Sequence, residues 1–333
     1  MDTDRSALFL FGEAMGYTYA AALRAAAATG VADHMADEPR GVAGLAADVG
    51  CDAAGLRRVL RMLAARGIVA EEGADRFRLT AAGGALRSDA PRSARAGVLM
   101  LTDEMFWKTT HVVAETIRTR APTFASIFGC TLAEYFDSDP AKEALFYEGM
   151  EAVSGAENHL VARACELPGS GTVADIGGRY GAFLCAVLEI NPSLHGVLFD
   201  KPDEVVKHRL TAAGVAGRVE IVAGDFFVAV PPADVYLLKR IIHNWDDEQS
   251  VRILENCRRA MRGGGRVLVI DAIPPAVPGP HDSKTMDFMM LGALTGGERT
   301  AAELEPVVAR AGLRLCRVVP TCTPMSVAVA EAA

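Results

Sequence analysis

Along residues 8–35 apolar positions recur at helical spacing, with Ala and Leu favouring helix, until Gly30 and Asp37-Glu38-Pro39 interrupt the pattern. VAGLAADVG, CDAAGLRRVLRMLAARGIV and GADRFRLTAAG follow, predicting helix, turn, helix and a β-hairpin whose turn holds Gly73 and Asp75. That is the order of a winged helix-turn-helix, with its second helix over about Ala53 to Arg66. From 98 to 166 the period is again helical, broken around 118–130 by Pro122 and Gly129. Within that stretch Phe146 and Met150 stand at i, i+4 and share a helix face, a pairing that serves a plain core or a ligand wall.

After LPGSG at 167–171 the pattern changes to short β-rich runs alternating with helical segments: 172–176, 196–200, 218–225, 235–239 and 266–273. Such alternation predicts a doubly wound, mostly parallel sheet covered on both faces. The last two runs, 313–320 and 325–332, are separated by too few residues for a crossover, so they are expected to pair antiparallel at one edge. The chain therefore divides into an N-terminal, mostly helical, winged-helix-like domain over 1–97, a helical linker or lid over 98–166, and a Rossmann-like α/β domain over 167–333.

Charge decides how the winged helix is used. The 333 residues carry 34 Lys plus Arg against 42 Asp plus Glu, a net charge of −8, and residues 1–90 hold ten Arg and no Lys against twelve acids. In a DNA module Arg57, Arg58, Arg61 and Arg66 would meet phosphates. The acidic balance argues instead for a scaffold used in dimerisation, and against nucleic acid as a partner. No apolar run reaches the ~18 residues of a membrane span. The seven scattered cysteines lack any CxxC spacing, and the acidic start lacks the character of a signal peptide, which together suggest the cytoplasm.

Val173-Ala174-Asp175-Ile176-Gly177-Gly178-Arg179-Tyr180-Gly181 runs out of a strand into a helix beginning near Ala182. Gly177, Gly178 and Gly181 suit a tight turn and close approach of backbone to a nucleotide-like ligand at a helix N-terminus. Asp200, 25 residues beyond Asp175 and ending the next strand, is placed for the two hydroxyls of a ribose. A dinucleotide and a sulfonium cofactor share this logic. The order DxGGxxG, the acid just ahead of the glycines, and Asp225 and Phe226 after the third strand favour the cation S-adenosylmethionine, because an anionic pyrophosphate would suit such an acid poorly. Each acid taken alone also fits a turn or a solvated strand end.

The cluster Leu238 to Glu248 follows the fourth strand and brings Lys239, His243 and Asn244 to the ligand-binding edge of the sheet. His243 there reads as a general base, or as a helix-start histidine bonded to Asp246 or Asp247. No HxxxH or carboxylate cluster suggests a metal.

In order, DIGGRYG (175–181), GVLFD (196–200), GDFF (224–227), LKRIIHNWDDE (238–248), GGGRVLVIDAI (263–273), MDFMML (286–291) and GGERT (296–300), with FYEGM (146–150), resemble the two-domain S-adenosylmethionine-dependent O-methyltransferases of the caffeic acid, hydroxyindole and polyketide-tailoring type. The resemblance spans nearly the whole chain. It implies a homodimer built on the N-terminal domain and methyl transfer to a phenolic or enolic hydroxyl of an aromatic, antibiotic-like small molecule. It also implies cofactor contacts at Asp175, Gly177, Asp200, Asp225, Phe226 and Lys239, a base at His243 oriented by Glu298, and acceptor walls at Phe146, Met150, Met286 and Met290. Three positions depart from the pattern. Arg179 replaces a third glycine, Asn244 stands where Asp is common on the pocket rim, and Arg118-Thr119-Arg120 replaces Arg-Thr-Gly. Arg179 keeps a second reading in view, a member of the same fold redirected to decarboxylation, hydroxylation or rearrangement. A DNA-binding regulator that senses the cofactor is a third.

Overall fold

The computed structural model describes residues 3–35, 38–119, 121, 123–210, 215–293 and 296–333. Asp37, Arg120 and Pro122, singled out above, lie outside them. The chain divides into two units, Met1–Trp107 with Ala133–Val153, and Lys108–Leu132 with Ser154–Ala333.

In the first unit the expected break falls at Gly30, which takes a left-handed φ of 68° and ends the helix Gly16–Thr29. Helices Val42–Asp48 and Ala53–Ala64 follow, the second capped by Asp52, whose carboxylate accepts the Gly55 N–H at 2.6 Å. Strands β1 (Arg40–Gly41), β2 (Val69–Glu71) and β3 (Arg76–Leu79) form a small antiparallel sheet in the order β1-β3-β2, with Gly73 and Asp75 at positive φ in the turn. Leu45, Leu60 and Phe77 are completely buried and tie these helices to this sheet. Arg57 is bonded to Asp75 at 2.7 Å and Arg61 to Glu71 at 3.0 Å.

The second unit is built on seven strands: β4 (Gly171–Ile176), β5 (Leu194–Asp200), β6 (Val219–Ala223), β7 (Ala233–Lys239), β8 (Met261–Asp271), β9 (Leu313–Pro320) and β10 (Ser326–Ala332). Their order is β6-β5-β4-β7-β8-β10-β9, parallel from β6 to β8, with β10 antiparallel to both neighbours. Alternation along each strand feeds two cores. Ala174, Phe199, Tyr236 and Val269 face one, while Val173, Leu198, Leu237 and Leu268 face the other. The terminal pair forms as expected, except that β10 wedges between β8 and β9. The β8 run starts earlier than the sequence suggests, at Met261. It passes through Gly265, where an added Cβ would sit 2.6 Å from the Asp234 carbonyl, so only glycine fits that approach.

The chain moves outward from β4 to β5 and β6, then returns to place β7 against the other side of β4. This reversal opens a crevice at the carboxyl ends of β4, β5 and β7, where ligands of open α/β sheets bind.

Candidate active site

The ends of β4, β5 and β7 border this crevice, and the segment after β6 reaches it. After β4 the chain turns through Gly177 (φ 72°), Gly178 and Gly181 (φ 79°) into the helix Ala182–Ile190. A side chain at Gly177 would collide with Ile241 at 2.5 Å and meet Phe226 at 3.8 Å, so the loop, the segment after β6 and the segment after β7 converge here. Phe226 stacks edge-on against Phe227 and Trp245, and Asp225 accepts the Phe227 N–H at 2.8 Å.

Asp175 lies beneath this loop rather than on it. It is 2 % exposed, a Cβ on Gly178 would fall 2.5 Å from its Oδ2, and that oxygen has no hydrogen-bond partner among the described residues. Burial pushes its pKa up to about 7, offset in part by the charge of Lys239. Asp200 accepts the Arg179 N–H at 2.9 Å on Oδ2 and the Lys201 N–H at 2.8 Å on Oδ1. Each carboxylate oxygen keeps a further lone pair for a ligand. Burial raises its pKa too, while those two N–H groups lower it.

Arg179 stands within the loop. Its backbone takes φ 46°, and its guanidinium turns onto Glu204, with Nε 2.8 Å from Oε2, and over the Tyr180 ring. The Lys239 ammonium is engaged as well, 2.9 Å from Glu157 and 3.2 Å from Ser154.

Beyond β7, His243 sits in a short 3₁₀ turn, Ile242–Asn244, and not at the start of the next helix. Asp246 caps that helix through the Gln249 N–H, so neither it nor Asp247 is the partner of His243. The partner is Glu298. His243 Nδ1 lies 2.7 Å from Glu298 Oε1, with the two side chains 7 % and 0 % exposed. Glu298 Oε2 accepts the Ala272 N–H at 3.1 Å, and the main-chain N–H of Glu298 donates to Asp287 at 2.9 Å, so both carboxylate oxygens and the backbone of Glu298 are held. With Nδ1 donating to that carboxylate, Nε2 carries the lone pair. Burial pulls the pKa of the imidazole down, but the charges of Asp271 and Glu298 and the bond to Glu298 push it up, and the balance lies above the ordinary histidine value.

Asn244 donates to the Arg240 carbonyl at 2.9 Å. Met286 and Met290 lie on the helix Asp282–Ala293, where Met290 is buried and Met286 packs partly onto the sheet core. Phe146 and Met150 belong to the first unit, on the helix Pro140–Ala164, with Phe146 packed on Phe136. The sequence reading missed Asp271, Asp287, Arg240 and Glu157. Asp271 ends β8 as Asp200 ends β5, a signal that was present. Glu157 sits in an ordinary helical pattern and gave none.

The donor set fits a sulfonium nucleoside: close backbone approach at the glycines, two strand-end acids with spare acceptor capacity, and a buried carboxylate oxygen without a donor under the loop.

Comparison with known proteins agrees. A model of the O-methyltransferase domain matches residues 110–314, and one of the O-methyltransferase dimerisation domain matches 13–89. The phenazine O-methyltransferase PhzM of Lysobacter antibioticus is 36 % identical over 95 % of this chain and 93 % of its own length. The solved structure of CalO1, a methyltransferase in calicheamicin biosynthesis with SAH bound, is 60 % identical with a TM-score of 0.95 over 100 % of both chains. That of NcsB1, an O-methyltransferase from neocarzinostatin biosynthesis in complex with S-adenosylmethionine and 2-hydroxy-5-methyl naphthoic acid, is 32 % identical with a TM-score of 0.74 over 94 % of this chain and 96 % of that one. The chain belongs to the S-adenosylmethionine-dependent O-methyltransferases that carry an N-terminal dimerisation domain.

Proposed function

We propose that this enzyme methylates a phenolic or enolic hydroxyl of an aromatic, polyketide-like natural-product intermediate, with His243 as the general base. The observation that carries this reading is the buried His243–Glu298 pair, with His243 two residues beyond Ile241, which meets the glycine loop at Gly177. Bound S-adenosylmethionine supplies an electrophilic methyl on a positively charged sulfur. The remaining work belongs to the protein. An acceptor phenol has a pKa near ~10 and is protonated at neutral pH, so His243 Nε2 removes its proton as the oxygen attacks. Glu298 keeps the ring in the Nδ1–H tautomer and stabilises the imidazolium that forms. Asp200 receives ribose hydroxyls, Asp225 and Phe226 the adenine, Gly177, Gly178 and Gly181 admit the ligand to the backbone, and Asp175 and Lys239 set the charge beneath it. Phe146, Met150, Met286, Met290 and Asn244 are assigned to the acceptor side on the family resemblance, with 98–166 as the lid.

The aromatic acceptor is supported by the phenazine enzyme and by the naphthoic acid bound to NcsB1. Assembly as a homodimer through 1–97 is supported by the dimerisation-domain match and by Leu8, Phe9, Leu10 and Phe11, which all lie exposed on the helix Thr3–Ala14. The pairing of Arg57 and Arg61 with acids supports a scaffold over a phosphate-binding surface. No helix among the described residues is long and apolar enough to cross a membrane, and the cytoplasm remains our reading for its location.

A panel of aromatic hydroxy compounds, aliphatic alcohols and amines of similar size tests the acceptor class, with product structures read by NMR. Methyl ethers from the phenols alone are expected, and preferential methylation of amines would overturn the assignment. The acid limb of kcat/KM should fall above the ordinary histidine value of ~6.5, because the charges of Asp271 and Glu298 raise the pKa of the base and only its neutral form accepts the proton. A limb well below that value would contradict the arrangement.

Asp175 makes a separate prediction. Its folded-state pKa of about 7 stands above the unfolded value near ~3.9, so its stabilising contribution is full below that value and lost as pH rises through 7. Asp175→Asn should therefore become progressively more stable than the wild type between pH 5 and pH 8 without ligand, by ~1–3 kcal/mol at the upper end, while binding S-adenosylmethionine more weakly. Melting curves at the two pH values and calorimetric titration check both halves.

A further inference from the structure

We propose that Arg179 is a positioning residue for the cofactor: its ion pair with Glu204 clasps the glycine loop against residues 202–210 and so holds Asp200 ready for the ribose hydroxyls. This role rests on Asp200 being the acid that receives them. Arg179 stands where a third glycine is usual, and its backbone keeps a conformation that glycine favours, with φ 46°. A side chain is disfavoured at that φ, so contacts outside the backbone must hold it there.

Those contacts all come from the segment that follows β5. Arg179 Nε lies 2.8 Å from Glu204 Oε2, with the two side chains only 16 % and 18 % exposed, so water and salt screen this pair less than a surface one. Glu204 belongs to the short helix Pro202–Val205. The Arg179 guanidinium also stands 4.8 Å from the centre of the Tyr180 ring, and that of Arg209 stands 4.6 Å from the same ring. The Arg209 N–H donates to the Tyr180 carbonyl at 3.0 Å. Leu210, which is buried, closes on the next residue, where a Cβ at Gly181 would fall 2.7 Å from its Cδ2. Residues 179–181 are thus held by one segment that begins at the strand end carrying Asp200.

The consequence reaches the ligand through one hydrogen bond. Asp200 accepts the Lys201 N–H on Oδ1 and the Arg179 N–H on Oδ2, and together these turn the carboxylate and leave its remaining lone pairs for a ligand. The Lys201 donor is fixed by adjacency in the chain. The Arg179 donor is in place only while the loop is, and the ion pair with Glu204 keeps it there. Glycine at 179 would adopt the same φ without strain but without an anchor, so part of the binding energy would go to ordering the loop.

Arg179→Gly and Glu204→Gln remove opposite charges from the same pair. Each should weaken S-adenosylhomocysteine binding on the order of tenfold, and the double variant should bind no more weakly than either. Calorimetric titration of the full-length enzyme reads these affinities, and S-adenosylhomocysteine is the probe because it lacks the sulfonium charge. Changes of opposite sign in the two single variants would trace the effect to charge and not to the clasp, which overturns the inference, as does unchanged affinity in both. An S-adenosylhomocysteine analogue without ribose hydroxyls separates the clasp from the assignment beneath it. The wild type should bind this analogue far more weakly than S-adenosylhomocysteine, and both variants should show a smaller difference. Full discrimination retained in the variants overturns the role of Arg179 and leaves that of Asp200 standing, whereas no discrimination in the wild type overturns the ribose assignment of Asp200 itself. The substitutions act on opposite partners, so if one variant does not fold the other decides.

Discussion

With alanine at position 243 the enzyme should turn over a phenolic acceptor at least ~10²-fold more slowly than the wild type, with the dissociation constant for S-adenosylmethionine unchanged. His243 meets none of the glycine loop, Asp200 or Asp225 in its hydrogen bonds, so its loss spares the cofactor cradle. It does leave Glu298 fully buried without its ring partner, which costs ~1–3 kcal/mol or more for a charged group, so the thermal midpoint should fall as well. His243→Gln retains an N–H donor and separates the two effects. Steady-state kinetics with calorimetric titration reads the prediction, and wild-type turnover in the alanine variant would remove His243 from catalysis.

Gly296→Ala should reach a comparable loss without touching either side chain of the proposed His243–Glu298 pair. An added Cβ would fall 2.1 Å from the His243 carbonyl oxygen, 2.6 Å from the Asn244 carbonyl carbon and 2.8 Å from the Trp245 nitrogen. All three are main-chain atoms, so no side chain can swing away and the loop itself must retreat. Glu298, two residues on, is carried off His243 with it, and a misplacement of about 1 Å is enough to cost ~10²-fold in rate. Gly297→Ala is the milder comparison, because its Cβ would meet only one side-chain atom, Asp287 Oδ1 at 3.2 Å, which needs to shift only by a few tenths of an ångström while keeping its bond to the Glu298 N–H. The expected outcome is loss of kcat with cofactor affinity intact at 296, and near-normal kinetics at 297. Equal behaviour of the two variants would show that the close approach at 296 does not hold the pair together.

Much of this architecture was legible from periodicity. Short β-rich runs at 172–176, 196–200 and 235–239, set between helical segments, specified strands, and the short link between the last two runs required an antiparallel pair. Glycines followed by a helix located the cradle because backbone conformation is a local property. The chemistry was less legible because it depends on which side chain turns back at a strand end. Glu298 stands 55 residues from His243 and Asp271 stands 28 away, and no spacing rule joins them. Family resemblance supplied the first and was silent on the second. Asp175 shows the same limit in another form. Its place beside the glycines was visible, whereas its burial beneath them depends on the folded loop bringing Gly178 against its carboxylate.

In the proposed reaction a proton leaves the acceptor for His243 as the methyl arrives, and acceptors of graded acidity test that most directly. A series of phenols matched in shape, from an ordinary phenol to one fully ionised at assay pH, should show a large penalty for His243→Ala at the weakly acidic end. The penalty should shrink toward none once the acceptor no longer has a proton to lose. A penalty of the same size across the whole series would contradict the base assignment and leave His243 as a structural or positioning group.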